Sequence, residues 1–127
     1  MVLSERHKRY IRYAIRVSGD APLQRYRLGC VIVKNGSPIS CGVNNMNKTH
    51  PKAIDYQYPY LHAELAAMIG VDERELAGSI AYVARRTSLT IGLAKPCPFC
   101  LEQMRRVGIK GVFYTTSGGG AEYIDLR

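Results

Sequence analysis

Apolar residues recur at helical spacing near the start of the chain. Tyr10, Ile11, Ala14, Ile15 and Val17 follow Ser4, a residue suited to an N-cap, and predict an amphipathic helix over 5–18 that Gly19 ends. Its other face carries Lys8, Arg9, Arg12 and Arg16. Cations opposite an apolar stripe are the default amphipathic pattern, so the spacing reads this face as solvated surface rather than a nucleic-acid stripe.

The period then changes. Leu28–Lys34 and Pro38–Val43 are β-rich runs on either side of Asn35-Gly36, residues that tolerate the positive φ of a tight hairpin turn. The stretch 44–60 has no sustained period and contains Pro51 and Pro59, which predicts a long loop, a length that usually carries function. His62–Gly70 reads as a helix with His62 in its first turn and Leu65, Met68 and Ile69 inward. Ser79–Arg86 is a strand. A helix entered through Pro98 and closed by Gly108 follows, then a strand over Gly111–Thr116 and a short last strand in "EYIDL". This order implies an α/β fold: a three-layer α/β/α sandwich with a mixed central sheet, its site where two helices begin beside the ends of central strands.

With 127 residues, 46% of them hydrophobic, the chain suits one domain over 1–127. No apolar run is long enough to span a bilayer, and "MVLSERHKRYIRY" is charged almost from its start, unlike a signal peptide. The expectation is a cytoplasmic protein with no membrane partner. Eighteen Lys and Arg against ten Asp and Glu give +8, a bias toward phosphate-bearing partners. Of four cysteines, Cys30 and Cys41 sit in strand-like runs and read as small hydrophobes.

Cys97 and Cys100, in "KPCPFC", are different: such a run is either a redox dithiol or half of a metal site. A thioredoxin-like dithiol follows an early strand and uses a later proline, whereas this pair comes late and no proline follows Pro98. "HAE" at His62–Glu64 together with "PCPFC" matches the H-x-E…P-C-x-x-C pattern of zinc deaminases. One imidazole and two thiolates leave the fourth position of tetrahedral Zn²⁺ open for water, whose pKa the metal lowers toward about 7, so that hydroxide is the nucleophile. Glu64 stands where it can move the water's proton to the ring and the leaving ammonia; the alternative is that it merely complements its helix dipole. A closed structural zinc site would need another ligand, for which His50, twelve residues before His62, is a candidate in the loop.

The helix, the "LGCVIVKNG" hairpin, "CGVN", "HAE", the "YVAR" strand, "KPCPFC" and "GIKGVFYTT" occur in an order that resembles the cytidine and deoxycytidylate deaminase superfamily across nearly the whole chain. The resemblance implies Zn²⁺ held by His62, Cys97 and Cys100, with Glu64 as proton shuttle. It implies that Asn44 contacts the sugar and that the Ala63 N–H holds the pyrimidine carbonyl. Lys48, His50 and Lys52, which follow Asn44, would then stand near a substrate phosphate, the alternative being a solvated loop. Two departures border the pocket mouth: the inserted "TSLTIGLAK", and Lys95-Pro96 where Ser-Pro or Glu-Pro is common in the family.

The implied reaction is hydrolytic deamination of cytosine in a free nucleotide or nucleoside of the dCMP or CMP type. Alternatives are a polynucleotide deaminase acting on single-stranded DNA or RNA, including adenosine in tRNA, and a non-catalytic zinc module. Tyr56, Tyr58 and Tyr60 form the one aromatic cluster that could stack bases, the alternative being that they pack over the core. A nucleotide or nucleoside partner is expected, nucleic acid is a second possibility, and the assembly is expected to be a homo-oligomer.

Overall fold

The computed structural model describes residues 3–19, 27–45, 61–87 and 89–127. Helix α1 (Glu5–Ser18) starts as its sequence predicts: Ser4 is extended, and its Oγ accepts the His7 N–H at 3.2 Å. It stops at Gly19 without a left-handed residue, since Gly19 has φ −65° and its N–H donates to the Arg16 and Val17 carbonyls.

Strands β1 (Arg27–Lys34) and β2 (Ser37–Val43) form the antiparallel hairpin. Asn35 and Gly36 take φ of 52° and 79°, the positive values that a two-residue turn between twisted strands requires. The expected loop over 44–60 lies, beyond Asn45, outside the described residues, and with it Lys48, His50, Lys52 and the three tyrosines.

Helix α2 (Ala63–Met68) is shorter than its sequence suggests. His62 is not in its first turn but is the extended residue capping it, and Ile69 has already left the helix. A short helix α3 (Glu73–Leu76) follows, with the Asp72 carboxylate accepting the Arg74 N–H at 2.9 Å and Leu76 buried. Then come β3 (Ile80–Arg86), β4 (Ile91–Gly92), α4 (Pro98–Arg106), β5 (Gly111–Thr115) and β6 (Ala121–Asp125).

The sheet order is β2-β1-β3-β5-β6, with β4 pairing the end of β3. Only β3 and β5 run parallel among these pairs, with Ala81 opposite Val112, so the sheet is mixed as expected. Side chains alternate across it. Val31, Val33, Tyr82, Ala84 and Phe113 pack under Tyr10, Ile11, Ala14 and Val17 of α1. Cys30, Ile32, Ala81, Val83 and Val112 face the other way, against Leu65 and Met68 of α2 and Cys100 and Met104 of α4. The three-layer α/β/α sandwich follows from these two cores. Cys30 is the small buried hydrophobe expected, but Cys41 is exposed, because β2 is an edge strand with only partial cover.

Helix α2 seats on β2 because residue 42 is glycine: a Cβ there would fall 2.8 Å from the Ala63 carbonyl oxygen and nearer still to the Ala67 nitrogen. Gly29 does the same for α1, where a Cβ would meet the Ser18 nitrogen at 2.5 Å and the Ala14 oxygen at 2.6 Å. These contacts fix how close each helix lies to the strands.

Candidate active site

The caps of α2 and α4 meet beside the start of β1 and the end of β2. His62 caps α2, and Cys97 caps α4 with Pro98 in its first turn; both residues are extended, at ψ 150° and 161°. The Cys97 sulfur accepts the Cys100 N–H at 3.4 Å, closing the first turn of α4 around the pair. His62 Nδ1 lies 3.9 Å from Cys97 Sγ and 3.7 Å from Cys100 Sγ.

These separations can be tested against a metal. Tetrahedral zinc with Zn–S near 2.3 Å and Zn–N near 2.1 Å places its nitrogen and sulfur ligands about 3.6 Å apart. The two observed nitrogen–sulfur edges are within a few tenths of that, so His62 stands at a distance from both sulfurs that suits a shared zinc. All three ligand atoms lie within 4.8 Å of one another, and among the described residues no other His, Cys, Asp or Glu joins them. His7 is elsewhere, its Nδ1 hydrogen-bonded to the Tyr82 hydroxyl at 2.7 Å on the α1 side of the sheet. His50 lies outside the described residues.

The electrostatics favour a thiolate centre. The Cys97 thiol is brought down to about 4, first by the hydrogen bond from the Cys100 side chain, against the cost of burial, and further by His62 and the Cys100 backbone N–H. Glu64, in the first turn of α2, is buried at 3% exposure. Burial raises its carboxyl above the usual range, with Cys97 adding to the rise, while its own backbone N–H, His62 and the Cys100 side chain pull it back.

A cavity of about 180 Å³ opens here, lined by Leu28, Asn44, His62, Ala63, Glu64, Lys95 and Cys97. Asn44 is buried at its rim and bridges the two strands: its Oδ1 accepts the Leu28 N–H at 2.9 Å, and its own N–H donates to the Leu28 carbonyl at 3.3 Å. Asn44 therefore lines the cavity while tied to β1 through Leu28. Ala63 is buried, as the first residue of α2. Five residues singled out from the sequence thus converge with Cys100, and Lys95 stands at the mouth as expected. Leu28 was not foreseen, since nothing in a strand pattern marks its end as a cavity wall.

Residues 4–116 match the family model of the cytidine and deoxycytidylate deaminase zinc-binding region. The chain belongs to this family. Its chemistry is accordingly that of a zinc-dependent hydrolytic deaminase, and the His62–Cys97–Cys100 group can hold the metal.

The fold agrees. The dCMP deaminase of the cyanophage S-TIM5 in apo form aligns with a TM-score of 0.65 at 23% identity, over 92% of this chain and 87% of that one. The same enzyme in complex with dCMP and dUMP gives 0.61 at 21% identity, over 91% and 85%. A cytidine deaminase from Burkholderia pseudomallei gives 0.68 at 22% identity, over 94% and 92%. No curated protein sequence gives a significant match. Among the described residues no helix is long and apolar enough to cross a membrane.

Proposed function

We propose that this deaminase, acting as one domain over residues 1–127, converts cytosine to uracil in a free pyrimidine nucleotide of the dCMP or CMP type. The observation that carries the reading is a buried carboxylate, Glu64, lining the same small cavity as His62 and Cys97. A cavity of about 180 Å³ suits a single ring. The likeness to a dCMP deaminase solved with dCMP and dUMP supports a nucleotide in that place.

His62, Cys97 and Cys100 hold zinc, which when bound supplies a Lewis acid that lowers the pKa of water. Glu64 takes one proton from the attacking water and delivers it to the ring nitrogen, then takes the second from the new C4 hydroxyl and delivers it to the departing amine, so that the water oxygen becomes the C4 carbonyl, the C4–N bond breaks and ammonia leaves. Its burial keeps bulk water from exchanging that proton. The Ala63 N–H, at the start of α2, holds the ring carbonyl, and Asn44 orients the sugar from the end of β2. Lys48, His50 and Lys52 meet the phosphate, a role that rests on their sequence position after Asn44.

A second reading, a base within a single strand, draws support from one feature. The exposed large hydrophobics among the described residues are Leu89, Leu93 and Phe99, all close in sequence to Cys97 and Cys100, and Phe99 could stack a neighbouring base. The test is ammonia release from dCMP, CMP, cytidine, a cytosine-bearing single strand and adenosine-containing tRNA, compared by kcat/KM. The free-nucleotide reading expects dCMP or CMP to lead, with KM raised for the nucleotide but not the nucleoside in Lys48→Ala/Lys52→Ala. Preference for the strand or for tRNA overturns it.

A further inference from the structure

The net charge of this chain is not spread evenly. Within α1, Arg6, Lys8, Arg9, Arg12 and Arg16 stand against one carboxylate, Glu5, leaving +4, half of the formal +8 of the whole protein. All five cations are exposed. Among the described residues the acidic groups that form ion pairs are occupied locally: Glu5 with Lys8, Asp72 with Arg74, Glu102 with Arg105 and Arg106, and Asp125 with Arg127. The four arginines of α1 have no ion-pair partner among the described residues.

Periodicity alone reads such a face as solvated, but the structure adds two features. The Arg9 guanidinium lies 5.1 Å from the Tyr10 ring centre and that of Arg16 lies 5.4 Å from Tyr13. Stacking uses the guanidinium's flat face and leaves its edge, which carries the donors, for a bidentate contact with two oxygens of an anion such as phosphate. At the N-terminal end of the row, a cavity of about 290 Å³ is lined by Arg6, His7, Tyr10, Tyr82 and Lys110, adding a further cation and three rings. From Arg6 to Arg16 the row spans about 15 Å at 1.5 Å per residue.

We propose that the exposed face of α1 is a sequence-independent binding surface for nucleic acid, holding the phosphate backbone through Arg6, Arg9, Arg12, Arg16 and Lys110. This face lies across the sheet from the zinc cavity, since α1 packs on Val31, Tyr82 and Phe113 while α2 and α4 pack on the opposite side. A strand held here is a tether for the enzyme and not the molecule whose base enters the cavity. Nucleic acid is favoured over a lipid surface because none of the exposed large hydrophobics found among the described residues is on α1, so the helix has nothing to insert between lipids.

The test is fluorescence anisotropy of a labelled mixed-sequence DNA duplex with the zinc-loaded protein over a range of salt. Neutralising four to five phosphates gives a log–log slope of about −4, from roughly 0.9 per contact. Arg9→Gln/Arg12→Gln/Arg16→Gln should flatten that slope by about 3 units, because three contacts are lost. The matched variant Arg74→Gln/Arg105→Gln/Arg127→Gln removes the same charge elsewhere and should change the slope by less than about 1 unit. Turnover of dCMP relative to the wild type, and the melting temperature, show whether each variant is folded. Four results overturn the proposal: no binding at low salt, an unchanged slope in the α1 variant, an equal loss in the matched variant, or phosphatidylserine vesicles bound through the same arginines as tightly as the duplex.

Discussion

Gly42→Ala isolates how the active site is held in place. The added methyl falls 2.8 Å from the Ala63 oxygen and the Ala66 carbonyl carbon, all backbone atoms of α2 that cannot rotate away. Ordinary contact begins near 3.5 Å and the Ala67 nitrogen is nearer still, so α2 must retreat from β2 by roughly 1 Å. Overpacking of this kind costs about 1–3 kcal/mol, which for a domain of this size lowers Tm by roughly 5–12 °C. The larger effect is on rate. His62 caps α2 and Glu64 is in its first turn, and a misplacement of about 1 Å in a catalytic group costs on the order of 10²-fold. Gly29→Ala is the control, because its methyl meets Ser18 and Ala14 of α1 across the sheet and should cost similar stability with a much smaller loss of turnover. The assay is Tm by scanning fluorimetry and kcat on dCMP, measured well below the Tm of both variants. Equal turnover loss in the two variants, or full turnover in Gly42→Ala, would falsify the claim that α2 is positioned through this contact.

Glu64→Gln should retain one zinc per chain and the wild-type fold while losing about 10²–10⁴ in kcat, the contribution typical of a positioned proton-transfer group. Cys97→Ala should lose the metal instead, and Cys41→Ala, exposed on the edge strand, should lose neither metal nor activity, as metal analysis beside the kinetics will show. His7 supplies a pH effect far from the site. Burial, and then Arg6, lower its pKa below the ordinary 6.5, so the folded state binds fewer protons than the unfolded one. The stability this contributes is present above pH 6.5 and is lost as pH falls through the folded pKa, so His7→Asn should show a flatter decline of Tm below that pH; an identical decline would show that His7 does not titrate differently on folding.

Where periodicity was strong, the fold was legible. The Tyr10–Val17 stripe and the Asn35-Gly36 turn gave α1 and the β1–β2 hairpin nearly to the residue. The His62, Cys97 and Cys100 group, which can hold a metal ion, was legible because two short motifs each hold unusual residues at fixed spacing, and because helix starts are natural places for thiolates. What escaped was structure without period. Helix α3 rests on a single buried leucine, Leu76, and an Asp72 cap, and β4 is two residues paired to Arg85 and Arg86 inside the inserted segment. His62 was placed one position too deep, because a cap and a first-turn residue look alike when helix formers begin only at Ala63. Cys41 was misjudged because composition does not reveal that its strand lies at the edge of the sheet.

The most direct test of the central claim is to incubate the zinc-loaded protein with dCMP in water enriched in heavy oxygen and to analyse the product by mass spectrometry alongside ammonia release. The account predicts dUMP carrying the solvent oxygen at C4, with one ammonia per product and turnover that ends when the metal is chelated and returns with zinc. Unchanged dCMP from protein shown to hold its zinc, under conditions that deaminate a cytosine in a single strand, would contradict the assignment of a free nucleotide as substrate.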